Sequence, residues 1–400
     1  MASDSKPAQA PTAAHPGGTL AMLVAATVFA VAAPSEAQDR FAPLRTFLDT
    51  SLKDGSVAGG AILVIEKGKT VFETGFGYAD VESKRPFEPD TRLTIASISK
   101  PVLGTAAFRL MDAGKLNGTD PVSKYIPEFR QAKLATGKPV NRSPTVIELF
   151  SHTSGIRRSN ATGGRPWLAK WTRGQRLRDV VAEYAREFPF EAEPGTRFAY
   201  SGIGTDLAAA VLETTAERTR NQILLDELCG PLGMNDTFYR DFDPRRDWSL
   251  LATSYRRGHD GKLFASVRSW DPGTPPDSYT SSGGSIVSTA RDMAVWLSMI
   301  RKQGMHNGKR YLSERMFAAM LSPAGVGNRA QGGLHIREKD ADGKPIVLGH
   351  GGSTGTDCWI DLKQDAISIV FTQTAAKHNR KFTARASRCI KECLTGKTGN

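Results

Sequence analysis

Runs rich in β-branched and apolar residues stand near the two ends of this chain, and helical patterns fill the space between them. "GGAILVIEKGKTVFETGFGYA" (59–79) reads as two strands around the turn Lys67-Gly68-Lys69, a hairpin. "PIVLGHGGSTGTDCWIDLKQDAISIVFTQT" (345–374) holds three β-rich runs in succession. Between them, "TVIELFSHTSGI", "LRDVVAEYAREF", "IGTDLAAAVLETTAE" and "NQILLDELCGPLGM" carry apolar residues at three- and four-residue spacing, the signature of helices. Two further helical patterns bracket the whole: "RFAPLRTFLDTSL" (40–52), with Phe41, Leu44, Phe47 and Leu48 on one side, and the closing "RKFTARASRCIKECL". Strands at both ends exclude the regular βαβ alternation of a doubly wound fold and predict an α+β architecture. The expected division is a discontinuous sheet domain from residues 38–121 and 266–395, with a mostly helical domain at 122–265. No internal repeat is evident.

The apolar fraction of 40% and charged fraction of 24% are those of a soluble globular protein. The net charge of +12 is spread along the chain rather than gathered in blocks, which reads as a solvated surface. No helix-turn-helix, zinc-finger or RNA-binding signature accompanies it, so no nucleic-acid partner is expected. The apolar run Leu20–Ala33, followed by Ser35-Glu36-Ala37, predicts an export signal cleaved before Gln38. Residues 1–37 are therefore set aside from the fold, a periplasmic or secreted location is expected, and no stable membrane span is expected after removal of the signal. The four cysteines, Cys229, Cys358, Cys389 and Cys393, form no CxxC pair and have no histidine at zinc-ligand spacing. Cys389 and Cys393, four apart on a helix, suit a disulfide poorly. No metal or cofactor is expected.

Two serines compete for the role of nucleophile. "GHGGSTGT" (349–356) contains Gly351-x-Ser353-x-Gly355, the spelling of a nucleophile elbow. An elbow needs a helix after it and then an acid and a histidine. The segment after Ser353 is β-rich, and the next histidine, His378, comes only 25 positions later (378 − 353). The alternative is Ser97-Ile98-Ser99-Lys100, an S-x-x-K. Residues i and i+3 of a helix share a face, so an amine at 100 can reach a hydroxyl at 97. A serine at a helix N-terminus also meets backbone N–H groups that favour developing negative charge. Pro101 is tolerated in the first turn, and Gly114 ends the helix.

In order along the chain stand "TIASISKPVLG", "ELFSHTSGI", "EPGTRFAYSGIGTDLAAAVLE", "GPLGMNDTFY", "SSGGSIVSTARDMAVWL" and "GHGGSTG". Together they resemble the serine β-lactamase-related superfamily, which holds class C β-lactamases, D,D-carboxypeptidases, D-aminopeptidases and family VIII carboxylesterases. The resemblance spans about residues 40–395 and is nearest to the family VIII esterases. It implies a β-lactamase/D,D-peptidase-like fold, an antiparallel sheet flanked by the N- and C-terminal helices plus a mostly helical second domain, with the active site between. It also implies roles: Ser97 as the acylated nucleophile, Lys100 as a proton-shuttling amine, and Tyr200 of "YSG" as general base and acid beside it. The oxyanion hole would come from the backbone N–H groups of Ser97 and Ser353, with Gly351 and Gly352 letting substrate lie close to the strand edge.

Two departures stand out. Gly202 occupies the place of the asparagine in the usual Tyr-x-Asn, removing a partner for a substrate amide. The usual Lys-Thr-Gly appears as His350-Gly351-Gly352, and His350 would bind a carboxylate only if protonated. A literal Lys397-Thr398-Gly399 sits at the extreme end with no strand around it and reads as coincidence. His152 of "SHTSG" reads as structural, Trp167, Trp171 and Trp359 as core packing, and Asp357 and Asp361 as turn and surface residues. The leading expectation is a serine hydrolase of short-chain esters. The alternatives are an enzyme acting on amides (β-lactamase, D,D-carboxypeptidase or D-aminopeptidase) and a non-catalytic penicillin- or peptidoglycan-binding protein. In each case the partner is a small-molecule ester or amide.

Overall fold

The computed structural model describes residues 40–156, 175–240, 247–266 and 278–396. The hairpin forms as its sequence directs: β1 (Gly59–Glu66) and β2 (Lys69–Asp80) are joined by Lys67 and Gly68, both at positive φ (50° and 78°). Two such residues make the tight turn whose twist matches that of the flanking strands. A two-residue strand β3 (Arg85–Pro86) extends this edge. From the far end of the chain come β4 (His335–Lys339), β5 (Pro345–Gly351), β6 (Asp357–Asp361) and β7 (Ala366–Thr372). The seven strands make one antiparallel sheet in the order β4-β5-β6-β7-β1-β2-β3. Its seam is β1 against β7, in register from Gly60 opposite Thr372 to Glu66 opposite Ala366. Strand β4 escaped the sequence reading because "HIREK" is largely polar, as befits an exposed edge.

Both faces of the sheet are covered, which explains why β1 and β7 are apolar at nearly every position. Helices α1 (Ala42–Lys53) and α7 (Ala376–Thr395) lie on one face. There Phe41, Leu44, Leu48, Phe382, Ala386 and Ile390 pack on Ile62, Val64, Phe72, Trp359 and Val370. The alternate residues Ala61, Leu63, Ile65, Ile367, Ile369 and Phe371 join the larger core on the other face. Each fully buried side chain of this size contributes about 1.5–3 kcal/mol. Trp359 is thus a core residue, as expected. Trp167, Trp171 and Lys397-Thr398-Gly399 lie outside the described residues, as do residues 1–37.

Asp357 and Asp361 correct the reading as turn and surface residues. Both are buried on β6. Asp357 pairs with Arg337 at 2.5 Å, and Asp361 accepts the Lys363 and Gln364 N–H groups to cap the turn after its strand. All four cysteines are free, three of them buried.

The expected helices are present: α2 (Ser99–Asp112), α3 (Leu177–Glu187), α4 (Gly202–Ala216), α5 (Ala290–Arg301) and the short segments Val146–Phe150 and Arg220–Leu224. A further helix, α6 (Glu314–Leu321), precedes the loop that carries Ala324–Gly333. Helix α2 is buried nearly all round from Ser99 to Met111. Its Gly104 is required by packing, because a Cβ there would lie 2.2 Å from the Gly332 carbonyl oxygen. A small sheet of Leu93–Thr94, Ile286–Ser288 and Phe238–Tyr239 then brings three distant segments together. The Ile95 N–H donates to the Ile286 carbonyl at 2.9 Å, and the Ile286 N–H donates to Ser99 Oγ at 3.1 Å. These bonds fix the loop before Ile286 against the start of α2.

Candidate active site

Ser97 lies in a single 3₁₀ turn, Ala96–Ile98, that runs directly into α2. Ala96, just before it, has φ 47°, a left-handed conformation that a Cβ-bearing residue adopts only under tertiary constraint. The constraint is visible in the turn after β5. Thr354 Oγ1 donates to the Thr94 carbonyl at 2.9 Å, and Thr356 Oγ1 donates to the Ile95 carbonyl at 3.1 Å. Gly352 is needed for this approach, since a Cβ there would sit 2.6 Å from the Ile95 carbonyl oxygen. Ser353 is therefore exposed on a turn strapped to the residues before Ser97, and no base hydrogen-bonds its hydroxyl among the described residues. The element after the Gly351-x-Ser353-x-Gly355 spelling is strand β6, not the helix an elbow requires.

Lys100, the second residue of α2, is 5% exposed. Its Nζ lies 3.2 Å from Ser97 Oγ and donates to the Gly283 carbonyl at 2.6 Å. The Tyr200 ring stands beside it, with Nζ 5.0 Å from the ring centroid. Tyr200 ends the loop ahead of α4; Ser201 caps that helix by accepting the Gly204 N–H, and Gly202 is its first residue. Hydroxyl, buried amine and phenol predicted from two separate segments thus meet in one place.

The two histidines play different parts. His152, at φ 61°, is buried, accepts the Ser201 N–H on Nδ1 at 3.3 Å and has its ring 4.5 Å from that of Tyr200. It holds the tyrosine loop in place, in keeping with a structural reading. Burial, then the Lys100 and Arg329 charges, hold its imidazole well below the usual histidine range. His350 on β5 lies 6.3 Å from the Tyr200 ring, centroid to centroid. It too is held well below the ordinary range, by burial first and then by Arg329 and Lys100. A neutral imidazole donates from Nδ1–H to the Gly351 carbonyl at 2.8 Å and leaves a buried Nε2 without a hydrogen-bond partner among the described residues. Such a ring supplies no cation for a substrate carboxylate.

The cation is elsewhere, on a residue that the sequence reading missed. Arg329, on the loop after α6, has its guanidinium carbon 5.5 Å from the Tyr200 ring centroid and 5.9 Å from that of Phe198. Among the described residues its side chain has no carboxylate partner, and its one hydrogen bond runs from Nη1 to the Gly333 carbonyl at 3.4 Å. Burial pulls it below the ordinary arginine range, opposed by attraction to the Tyr200 oxygen. "GVGNRAQGG" offers no periodicity or spacing to mark this arginine, and only the folded loop brings it to Tyr200. Among the described residues no cluster of histidine, cysteine or carboxylate side chains is arranged to hold a metal ion.

An antiparallel sheet sandwiched by helices, with an S-x-x-K serine and lysine facing a tyrosine, defines the class of serine hydrolases that resemble penicillin-recognising enzymes. The family model "Beta-lactamase" matches residues 44–390, and the chain belongs to that family. Protein Rv1367c of Mycobacterium tuberculosis is 31% identical over 271 residues, 65% of this chain and 66% of that protein, just under two thirds of its length. Among solved structures, "EstCE1, a hydrolase with promiscuous acyltransferase activity" superposes with a TM-score of 0.75 at 22% identity, covering 90% of this chain and 99% of that one. Simvastatin synthase (LovD) from Aspergillus terreus does so with a TM-score of 0.71 at 18% identity, covering 89% and 98%. At these identities the structural likeness establishes the fold, mixed α+β with an antiparallel sheet.

Proposed function

We propose that this protein is a carboxylesterase of short-chain esters that works through an acyl-enzyme on Ser97. The observation that carries the reading is the Lys100 amine, enclosed and hydrogen-bonded between Ser97 Oγ and the Gly283 carbonyl, beside the Tyr200 ring. In the proposed cycle Ser97 Oγ attacks the ester carbonyl and loses its proton to the Lys100–Tyr200 pair. The same proton returns to the departing alkoxide. Water then attacks the acyl-enzyme carbonyl and gives a proton to the pair, which passes it to Ser97 Oγ as the acyl–Oγ bond breaks and the acid departs. The Ser97 and Ser353 N–H groups would bind the oxyanion in both steps. Two features favour esters over amides: Gly202 supplies no side-chain amide, and His350, held neutral, supplies no cation for a substrate carboxylate.

A second reading, hydrolysis of carboxylate-bearing amides such as β-lactams, is favoured by the Arg329 guanidinium near Tyr200. Purified protein assayed in parallel on p-nitrophenyl butyrate and nitrocefin separates the two. Turnover of the ester alone supports the esterase, and turnover of nitrocefin alone overturns it. Ser97→Ala is expected to lower ester turnover by at least about a thousandfold, the scale of losing a nucleophile. A fluorophosphonate should label Ser97; a label on Ser353 would refute the assignment.

A further inference from the structure

Lys100 depends on an oxygen 183 positions away, the Gly283 carbonyl. A Cβ at 283 would come within 2.8 Å of the Lys100 Nζ, so this loop and the amine are in closest contact. What holds the loop is a buried polar network from three other elements. Asp206 on α4, 1% exposed, accepts the Ser282 N–H at 2.6 Å and the Tyr279 hydroxyl at 2.7 Å. Arg220 donates to the Thr280 carbonyl at 2.5 Å, to Thr280 Oγ1 at 2.7 Å and to Ser282 Oγ at 2.8 Å. Tyr239 donates from its hydroxyl to the Ser282 carbonyl at 2.9 Å, with the Arg220 guanidinium 5.0 Å from its ring centroid. Both backbone polar groups of Ser282, one residue before the Lys100 acceptor, are thus taken by side chains.

We propose that Asp206, Arg220 and Tyr239 are positioning residues that clamp the 279–283 loop so that the Gly283 carbonyl holds the Lys100 amine against the Ser97 hydroxyl. A carboxylate enclosed in the otherwise apolar helix "IGTDLAAAVLE" is costly to bury, and its hydrogen bonds offset that cost only in this arrangement. A fully satisfied buried network of this kind rigidifies what it touches. Because α4 begins two residues after Tyr200, Asp206 also ties the tyrosine's helix to the lysine's acceptor.

The inference rests on Ser97 and Lys100 being the reacting pair. Its test uses the full chain with Asp206→Ala, Asp206→Asn and Tyr239→Phe. Each variant is measured for kcat and KM on p-nitrophenyl butyrate, for the rate of fluorophosphonate labelling at Ser97, and for Tm. Misplacing a reacting group by about 1 Å costs up to about a hundredfold. Asp206→Ala is expected to lower kcat and the labelling rate 30- to 100-fold (roughly that scale) with KM within about threefold. Asp206→Asn, which keeps an acceptor for the Ser282 N–H, should restore most of that rate. Tyr239→Phe, nearly isosteric and expected to fold, should cost about tenfold in kcat. A lowered Tm with wild-type labelling per folded molecule, or loss confined to KM, overturns the clamp. Should Asp206→Ala not fold, Tyr239→Phe decides alone: wild-type kcat and labelling refute the proposal. Failure of the esterase reading shows separately, as wild-type protein that does not label at Ser97.

Discussion

Two cations approach Tyr200 from different segments, and they are not equivalent. Lys100 is fixed by two hydrogen bonds, whereas among the described residues Arg329 has only a long contact to the Gly333 carbonyl. A guanidinium over an aromatic ring contributes about 0.5–2 kcal/mol, more as water is excluded. If Arg329 serves Tyr200, removing its charge must slow every substrate; if it serves a substrate anion, only anionic substrates must suffer. Arg329→Gln is therefore expected to lower kcat on the neutral p-nitrophenyl butyrate by about tenfold, which corresponds to about 1.4 kcal/mol. Steady-state kinetics on that ester and on a carboxylate-bearing ester of the same chain length check it. Unchanged kcat on the neutral ester, with a loss confined to the anionic one, would assign Arg329 to substrate recognition.

Helix α2 is the element on which the site turns, because it carries Lys100 in its first turn and is enclosed on all sides. Its spacing from the 330–333 loop is set at Gly104, where backbone meets backbone with no room for a methyl group. Overpacking of this kind costs about 1–3 kcal/mol. Gly104→Ala should accordingly lower Tm by several degrees and reduce kcat, since the helix can yield only by moving its lysine or Arg329's loop. Thermal unfolding followed by circular dichroism, with the ester assay alongside, measures both. An unchanged Tm would mean that the two backbones part without penalty. Such contacts are invisible in "KPVLGTAAF", where Gly104 reads only as a weak point in a helix. The same holds for the strands Leu93–Thr94 and Phe238–Tyr239, too short to show a period yet needed to bring the site's segments together.

Legibility in the sequence tracked the range of the interaction. The β1–β2 hairpin and the S-x-x-K pair are local, so turn chemistry and helical spacing revealed them. The seam between β1 and β7 joins residues 312 positions apart (372 − 60), and nothing local in either run names the other as its partner. Arg329 and Gly283 had no local mark. Asp206 had one, a carboxylate inside an apolar helical run, and its meaning emerged only when Ser282 was found against it.

At the scale of the whole molecule, the enclosed histidines tie stability to pH. His152 and His350 are both held well below 6.5, chiefly by burial and then by the Lys100 and Arg329 charges. The unfolded chain binds protons at these imidazoles near pH 6.5, while the folded chain does not. Below 6.5 the unfolded state therefore holds more protons, and stability falls as pH drops; above 6.5 the two states are alike and the contribution is full. In the limit well below 6.5 each ring contributes a slope of about 1.4 kcal/mol per pH unit. Tm measured from pH 7.5 to 5.5 should decline steadily below 6.5. His152→Asn, which suits the left-handed backbone at φ 61°, removes one of these groups and should flatten the decline while lowering Tm at pH 7.5. A variant whose Tm falls with pH as steeply as the wild type would show that His152 takes up its proton in the folded protein.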